Sequence, residues 1–360
     1  MGSALALARR GLGLTWPNPS VGCVIVDADG RVVGRARTAD GGRPHAETQA
    51  LAQAGSRALG GTAYVTLEPC AHMGKTPPCA DALVAAGLAR TVVAIEDPDP
   101  RTAGQGLARL REAGIAVTVG VRRAEAVEVT AGFLTRVLKG RPYFELKTAM
   151  TLDGRIAAHN GASKWITGEA ARARAHLMRA EADAILCGIG TAIADDPQLD
   201  VRLPGLSARQ PVRILADARL RLPLTSKLAR SARRQPLWIL ARPDADKARA
   251  AAFRDLGAEI IEVPLLPTGE LDLLVAAREL GARGLTRVLV EGGGRIAGAM
   301  IRAGLIDAIH AFRAGTVMGG DGLPAIAAMG VEGPDVAPRF ALAHIGRVGA
   351  DVLESWTALD

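Results

Sequence analysis

The alternation of apolar and polar positions opens with a helical stretch at residues 3–13, ended by Gly11 and Gly13. A β-branched run at 21–27, the turn at Asp29 and Gly30, and a second extended run at 31–37 read as a hairpin. Ala50, Leu51 and Ala54 continue an apolar face from Ala46, which predicts a helix up to Gly55. Residues 62–67 read as a buried strand, 79–86 as a helix stopped by Gly87, 91–95 as a strand, 102–113 as a helix and 115–119 as a strand. The pattern resets near 139–142. Beyond it, strands are expected at 144–149, 184–188, 212–216, 237–241, 259–263, 287–290 and 308–313. Helices are expected at 169–182, 245–256, 271–281 and 296–303, and 190–202 reads as a polar loop. Strands alternating with helices imply layered α/β architecture, here in two domains, 1–141 and 142–360.

Composition narrows the function classes. A hydrophobic content of 49% with 22% charged residues describes a soluble globular chain. With only 3% aromatic residues, a stacking platform for single-stranded nucleic acid is disfavoured. The net charge of +7 comes from scattered arginines without a like-charge run, which suits small phosphorylated ligands better than nucleic acid. No stretch reaches the length of a membrane span, and residues 1–14 read as the first helix of a cytoplasmic protein, not a targeting segment. Of the cysteines, Cys23 and Cys187 lie in apolar runs and read as core, whereas Cys70 and Cys79 join a histidine cluster. That is metal plus core usage, not a disulfide framework.

The cluster is His45-Ala46-Glu47, followed after a helix and a strand by Pro69-Cys70 and then Pro78-Cys79. One imidazole and two thiolates leave the fourth position of a zinc ion open for water, the arrangement of catalytic zinc. Each cysteine follows a proline where a helix could begin, and a helix N-terminus favours a thiolate. Glu47 is not needed as a ligand and can carry a proton from water to leaving ammonia. A purely structural zinc would leave Glu47 idle. The cysteines of familiar base deaminases stand about two residues apart; here eight residues intervene, among them His72 and Lys75. A flipped nucleic-acid base has no obvious use for that insert, whereas a small phosphorylated substrate has.

In the second half, Glu291-Gly292-Gly293-Gly294-Arg295 joins a strand to a helix; a tight turn and a phosphate cradle fit it equally well. Thr167 suits an N-cap, Arg179 a solvated helix charge, Asp195 a turn, Asn18 a turn between prolines and Lys75 a loop charge.

Taken together, 15–22 (Thr15-Trp16-Pro17-Asn18-Pro19-Ser20-Val21-Gly22), 41–47 and 66–79 resemble the bifunctional riboflavin-biosynthesis deaminase/reductase family, and the second half resembles its reductase. The resemblance implies a cytidine-deaminase-like three-layer α/β/α domain followed by a dihydrofolate-reductase-like α/β domain. It implies hydrolytic deamination of 2,5-diamino-6-(5-phosphoribosylamino)pyrimidin-4(3H)-one, then NADPH-dependent reduction of the ribosyl chain of the resulting uracil to ribityl. Zinc, one per chain, would sit on His45, Cys70 and Cys79, with Glu47 catalytic. Asn18, His72 and Lys75 would bind the first substrate. Lys147, Ser163, Arg179, Leu199, Arg202 and Glu291 would bind the second, Lys147 and Glu291 being the candidate proton donors. Ala149, Trp165, Thr191, Asp195, Gly293, Gly294, Arg295, Ile296, Ala297 and Gly298 would face NADPH; Ala218 lacks a hydroxyl expected at another cofactor-facing strand end. The family also implies a homo-oligomer, dimer or tetramer. The competing reading is a nucleotide or nucleic-acid base deaminase with an unrelated nucleotide-binding module behind it.

Overall fold

The β-branched run after the first helix does form a hairpin. In the computed structural model, which describes residues 1–73, 77–100 and 102–359, α1 (Gly2–Arg9) precedes β1 (Gly22–Val26) and β2 (Val32–Arg37). Then come α2 (Ala46–Ala54), β3 (Thr62–Val65), α3 (Cys79–Ala85), β4 (Arg90–Val93), α4 (Gln105–Glu112), β5 (Ala116–Val119) and α5 (Arg123–Lys139). The first helix is shorter than expected. The 17-residue α5, absent from the sequence expectation, buries Ala126, Val129, Thr130 and Phe133 at helical spacing. The strands form one sheet in the order β2-β1-β3-β4-β5, with β1 antiparallel to both neighbours and β3, β4 and β5 parallel. Its core includes Ile25, Val65, Leu67, Leu83, Leu110 and Phe133. Each large side chain so buried contributes roughly 1.5–3 kcal/mol. Cys23 is fully buried among them, as expected of a packing residue.

The second unit begins with β6 (Tyr143–Met150) and β7 (Arg155–Ala157), then α6 (Glu169–Glu181), β8 (Ala184–Gly188), α7 (Ile189–Asp195) and β9 (Val212–Ala216). It continues through α8 (Lys227–Arg230), β10 (Leu237–Ala241), α9 (Lys247–Asp255), β11 (Glu259–Glu262), α10 (Leu273–Ala282), β12 (Arg287–Glu291) and α11 (Gly294–Arg302). It ends with β13 (Ile306–Arg313), β14 (Leu323–Pro324), β15 (Phe340–Val348) and β16 (Asp351–Ala358). Among the described residues, nine strands run in the order β11-β10-β9-β8-β12-β6-β13-β16-β15, parallel from β11 to β13. β16 and β15 add an antiparallel edge. The chain winds outward from β6 through β8 to β11, then returns to insert β12 between β8 and β6. Such a switch opens a crevice at the carboxyl ends of the strands. Two expectations are corrected here. The first half of 190–202 is helical, and the C-terminal hairpin was not foreseen.

By contacts the chain divides into Met1–Arg141 with Gly284–Thr286, and Pro142–Arg283 with Arg287–Asp360. Among the described residues, no helix is long and apolar enough to cross a membrane.

Candidate active sites

In the first unit, α2 is the platform. His45 is its N-cap residue in extended backbone, and Glu47 falls in the first turn on the face that also buries Ala46, Ala50 and Ala54. Cys79 opens α3. Cys70 does not begin a helix, contrary to expectation; it sits in irregular backbone, and the N-terminus that serves it belongs to α3, through the Cys79 N–H donated to its Sγ at 3.3 Å. His45 Nδ1 is 3.3 Å from Cys79 Sγ and 3.7 Å from Cys70 Sγ. All ligand atoms of His45, Cys70 and Cys79 lie within 4.8 Å of one another. Tetrahedral zinc with ordinary Zn–N and Zn–S bonds sets N and S roughly 3.5 Å apart, so the residues fit that ion.

The three groups strongly perturb one another electrostatically. The Cys79 thiol and backbone N–H, together with His45, hold the Cys70 thiol down at about 4 against its burial. Cys79, the donating partner, is pushed up by that contact and by burial. The Cys70 hydrogen bond raises His45. Glu47 is 3% exposed. Burial raises its carboxyl to about 7, with His45 pulling the other way. A carboxyl balanced there can both accept and return a proton.

Around this centre, Asn18 donates from Nδ2 to the Gly42 carbonyl at 3.3 Å, just upstream of His45. His72 Nδ1 lies 3.4 Å from the hydroxyl of buried Thr102. Lys75 lies outside the described residues.

The second unit holds a cavity of about 1160 Å³ at the carboxyl ends of its central strands. Lys147 on β6 and Glu291 on β12 are register partners, and Lys147 Nζ is 3.0 Å from Glu291 Oε2. Arg179 on α6 forks onto the same carboxylate, with Nε 2.5 Å from Oε1 and Nη2 2.9 Å from Oε2, while Nη1 donates to the Asp200 carbonyl. Burial would raise the Glu291 carboxyl, but Arg179 and Lys147 outweigh it and keep it well below the usual range. Arg179 is therefore no solvated helix charge.

Ala149, Ser163, Arg179, Thr191, Asp195 and Leu199 all line the cavity. So do Gly293, Gly294, Arg295, Ile296 and Ala297 at the start of α11. Close approach requires these glycines. A Cβ on Gly293, whose φ is +24°, would lie 3.0 Å from Thr191 Oγ1, and one on Gly294 would lie 2.4 Å from the Pro324 carbonyl. Gly298 is not in the lining; a Cβ there would lie 3.0 Å from the carbonyl of Ala327, which is. Trp165 is outside the cavity lining, 72% exposed, with the Arg172 guanidinium 4.6 Å from its ring centroid. Arg202 lines a separate recess of about 550 Å³ and pairs with Asp200 at 3.4 Å. Ala218 lines the cavity, while the neighbouring Asp217 is buried and accepts the Leu222 N–H. The sequence reading missed Arg219, Arg221, Glu270, Asp272, Arg302 and Pro324, all in the lining. Nothing in their spacing marks them, because four distant segments bring them together.

Comparison with known proteins gives two matching families. The RibD C-terminal domain matches residues 142–353, and the cytidine and deoxycytidylate deaminase zinc-binding region matches 1–95. The riboflavin biosynthesis protein RibD of Escherichia coli (strain K12) is 42% identical, covering 98% of this chain and 96% of that protein. The Aquifex aeolicus RibD is 40% identical over 97% and 95%. Among solved structures, Acinetobacter baumannii RibD superposes with a TM-score of 0.87 at 39% identity, covering 100% of this chain and 98% of that one. A Thermotoga maritima diaminohydroxyphosphoribosylaminopyrimidine deaminase/5-amino-6-(5-phosphoribosylamino)uracil reductase gives 0.86 at 32% identity, covering 100% and 97%.

Proposed function

The chain belongs to the RibD family of bifunctional riboflavin-biosynthesis deaminase/reductases, and from that premise we propose how its residues carry the two reactions. The first is hydrolytic deamination of the phosphoribosylated diaminopyrimidine, and the second reduces the ribosyl chain of the aminouracil product. The observation that carries the first is the His45, Cys70 and Cys79 cluster with buried Glu47 beside it. Zinc held there would supply Lewis-acid activation at neutral pH. The Glu47 carboxylate would take a proton from the attacking water and deliver it to the departing amine, so that ammonia leaves neutral. Asn18, His72 and Lys75 bind the pyrimidine and its phosphoribosyl arm.

For the second reaction, the cavity exceeds the upper end of ordinary single-ligand pockets (about 1,000 Å³) and has room for cofactor and substrate together. A nicotinamide cofactor bound there would supply the hydride. The glycine turn at 292–294 and the α11 N-terminus suit its pyrophosphate. Guanidinium groups of Arg219 and Arg221 in the lining support NADPH over NADH, since an extra phosphate favours arginine. Of the two candidate proton donors, Glu291 is pinned in its ionised form, so Lys147 Nζ gives the proton and Glu291 orients it. Ser163, Arg179 and Leu199 hold the substrate, and Ala149, Thr191 and Asp195 hold the cofactor, all from the cavity lining. Domain limits at about 141, a homo-oligomeric state and a cytoplasmic location complete the proposal.

A stepwise assay tests it. Diaminopyrimidine alone should yield the uracil and ammonia, and addition of NADPH should yield the ribityl product. Reduction before deamination, or equal rates with NADH, would overturn the order or the cofactor assignment.

A further inference from the structure

Glu68 stands two residues before Cys70 and has no part in the chemistry above. Its carboxylate is buried, at 3% exposure. It accepts four backbone N–H groups from a segment about thirty residues onward. Asp97 and Gly104 donate to Oε2 at 3.1 and 3.0 Å, and Gly106 and Leu107 donate to Oε1 at 2.9 and 3.2 Å. Gly106 and Leu107 lie in the first turn of α4, whose N–H groups have no acceptor within the helix. The N-cap position itself is Gly104, which has no side chain to offer. Glu68 thus caps α4 from another part of the chain. A second observation agrees: a Cβ on Gly106 would lie 2.0 Å from the Pro69 carbonyl, so α4 is pressed directly onto the segment that carries Cys70.

Between the two ends of this clamp, the described residues make turn-type hydrogen bonds. Asp97 Oδ1 accepts the Asp99 N–H at 2.9 Å, the Asp99 carbonyl accepts the Thr102 N–H at 2.7 Å, and the Thr102 carbonyl accepts the Gln105 N–H at 2.6 Å. Thr102 is 1% exposed, with its hydroxyl 3.4 Å from His72 Nδ1. We propose that Glu68 is a positioning residue of the deaminase site, docking Asp97 and Gly104–Leu107 so that Thr102 sets the orientation of His72 toward substrate. The inference rests on the reading of His72 as a substrate contact. A carboxylate is required because it alone offers acceptor sites for four converging donors. Glutamine at this position turns an NH2 toward two of them and leaves them unmet.

The test uses the zinc-loaded full chain and the variants Glu68→Gln, Thr102→Val and His72→Ala, with the Glu68→Gln/His72→Ala and Thr102→Val/His72→Ala doubles. Glu68→Gln should keep about one zinc per chain and the wild-type reductase rate on supplied uracil substrate. Its deaminase KM should rise about tenfold with kcat within about threefold, and deaminated product should bind correspondingly more weakly in calorimetry. Thr102→Val should move KM and product affinity the same way by about threefold, and in the His72→Ala background either change should add less than about twofold. Wild-type KM in both variants, loss of kcat alone, loss of zinc, or effects that multiply fully in the doubles would overturn the role of Glu68. His72→Ala with unchanged KM and product affinity would instead refute the reading of His72. If Glu68→Gln fails to fold, Thr102→Val decides, because it leaves the carboxylate and its four bonds in place.

Discussion

Glu47 and Glu291 are both buried carboxyls, yet their surroundings drive them in opposite directions. Burial leaves Glu47 near 7, fit to exchange a proton, whereas Arg179 and Lys147 keep Glu291 ionised, fit to hold other groups in place. Glu47→Gln should therefore lower ammonia release by about 10²–10⁴-fold while NADPH oxidation on the deaminated substrate stays at the wild-type rate; parallel assays of both products check this. Arg179→Ala removes the forked partner of a buried carboxylate. It should cost about 3–5 kcal/mol, read as a lower urea midpoint, and abolish reduction without touching deamination. The residue identities at the zinc centre were legible because His-x-Glu and two Pro-Cys units carry their chemistry in their types. Glu68 shows the limit of that signal. It lies inside a motif that draws attention, but the four donors it serves come from a segment far along the chain.

Most helices and strands with apolar residues at regular spacing were readable, and two elements with a weaker local signal were not. α5 buries mostly small or β-branched residues, Ala126, Val129 and Thr130, beside Phe133, so its stripe is muted in the sequence. The β15–β16 hairpin leaves Leu342 and Ile345 exposed and owes its place to pairing with β13, a partner the local pattern does not reveal. Charge on β6 has a consequence for the whole sheet. Glu145 meets Arg287 at 2.5 Å and His310 at 3.5 Å; burial opposes its ionisation, but these partners bring it to about 2, below the ordinary 4.5. A depressed carboxyl stabilises the fold fully above its unfolded value and loses that contribution as pH falls through the folded one. Urea midpoints should thus fall between about pH 4.5 and 2, and Glu145→Gln should be weaker at neutral pH with a shallower acid dependence. Equilibrium unfolding across that range, followed by far-UV circular dichroism, checks both.

Across the entire chain, the zinc-ligand cluster and the Lys147–Glu291 cavity fall in two different contact units. Chelation with a strong zinc ligand should abolish deamination, leave reduction of supplied uracil substrate unchanged, and be reversed by added zinc; product analysis before and after dialysis checks this. Most of the strands and helices, the pair of α/β units and the grouping of His45, Cys70 and Cys79 followed from residue type and spacing, because hydrophobic period and ligand chemistry are local properties. The reductase cavity did not follow in the same way. Its floor is built where β12 inserts between β6 and β8, which makes Lys147 and Glu291 register partners although they are distant in the chain. Its basic lining, Arg219, Arg221 and Arg302, comes from segments with no common motif. Trp165 and Arg202 fall outside that cavity for the same reason: strand order and loop path, not residue type, choose which side chains converge. Long-range pairing is written in the packing of whole elements, and it becomes visible only when the chain has closed on itself.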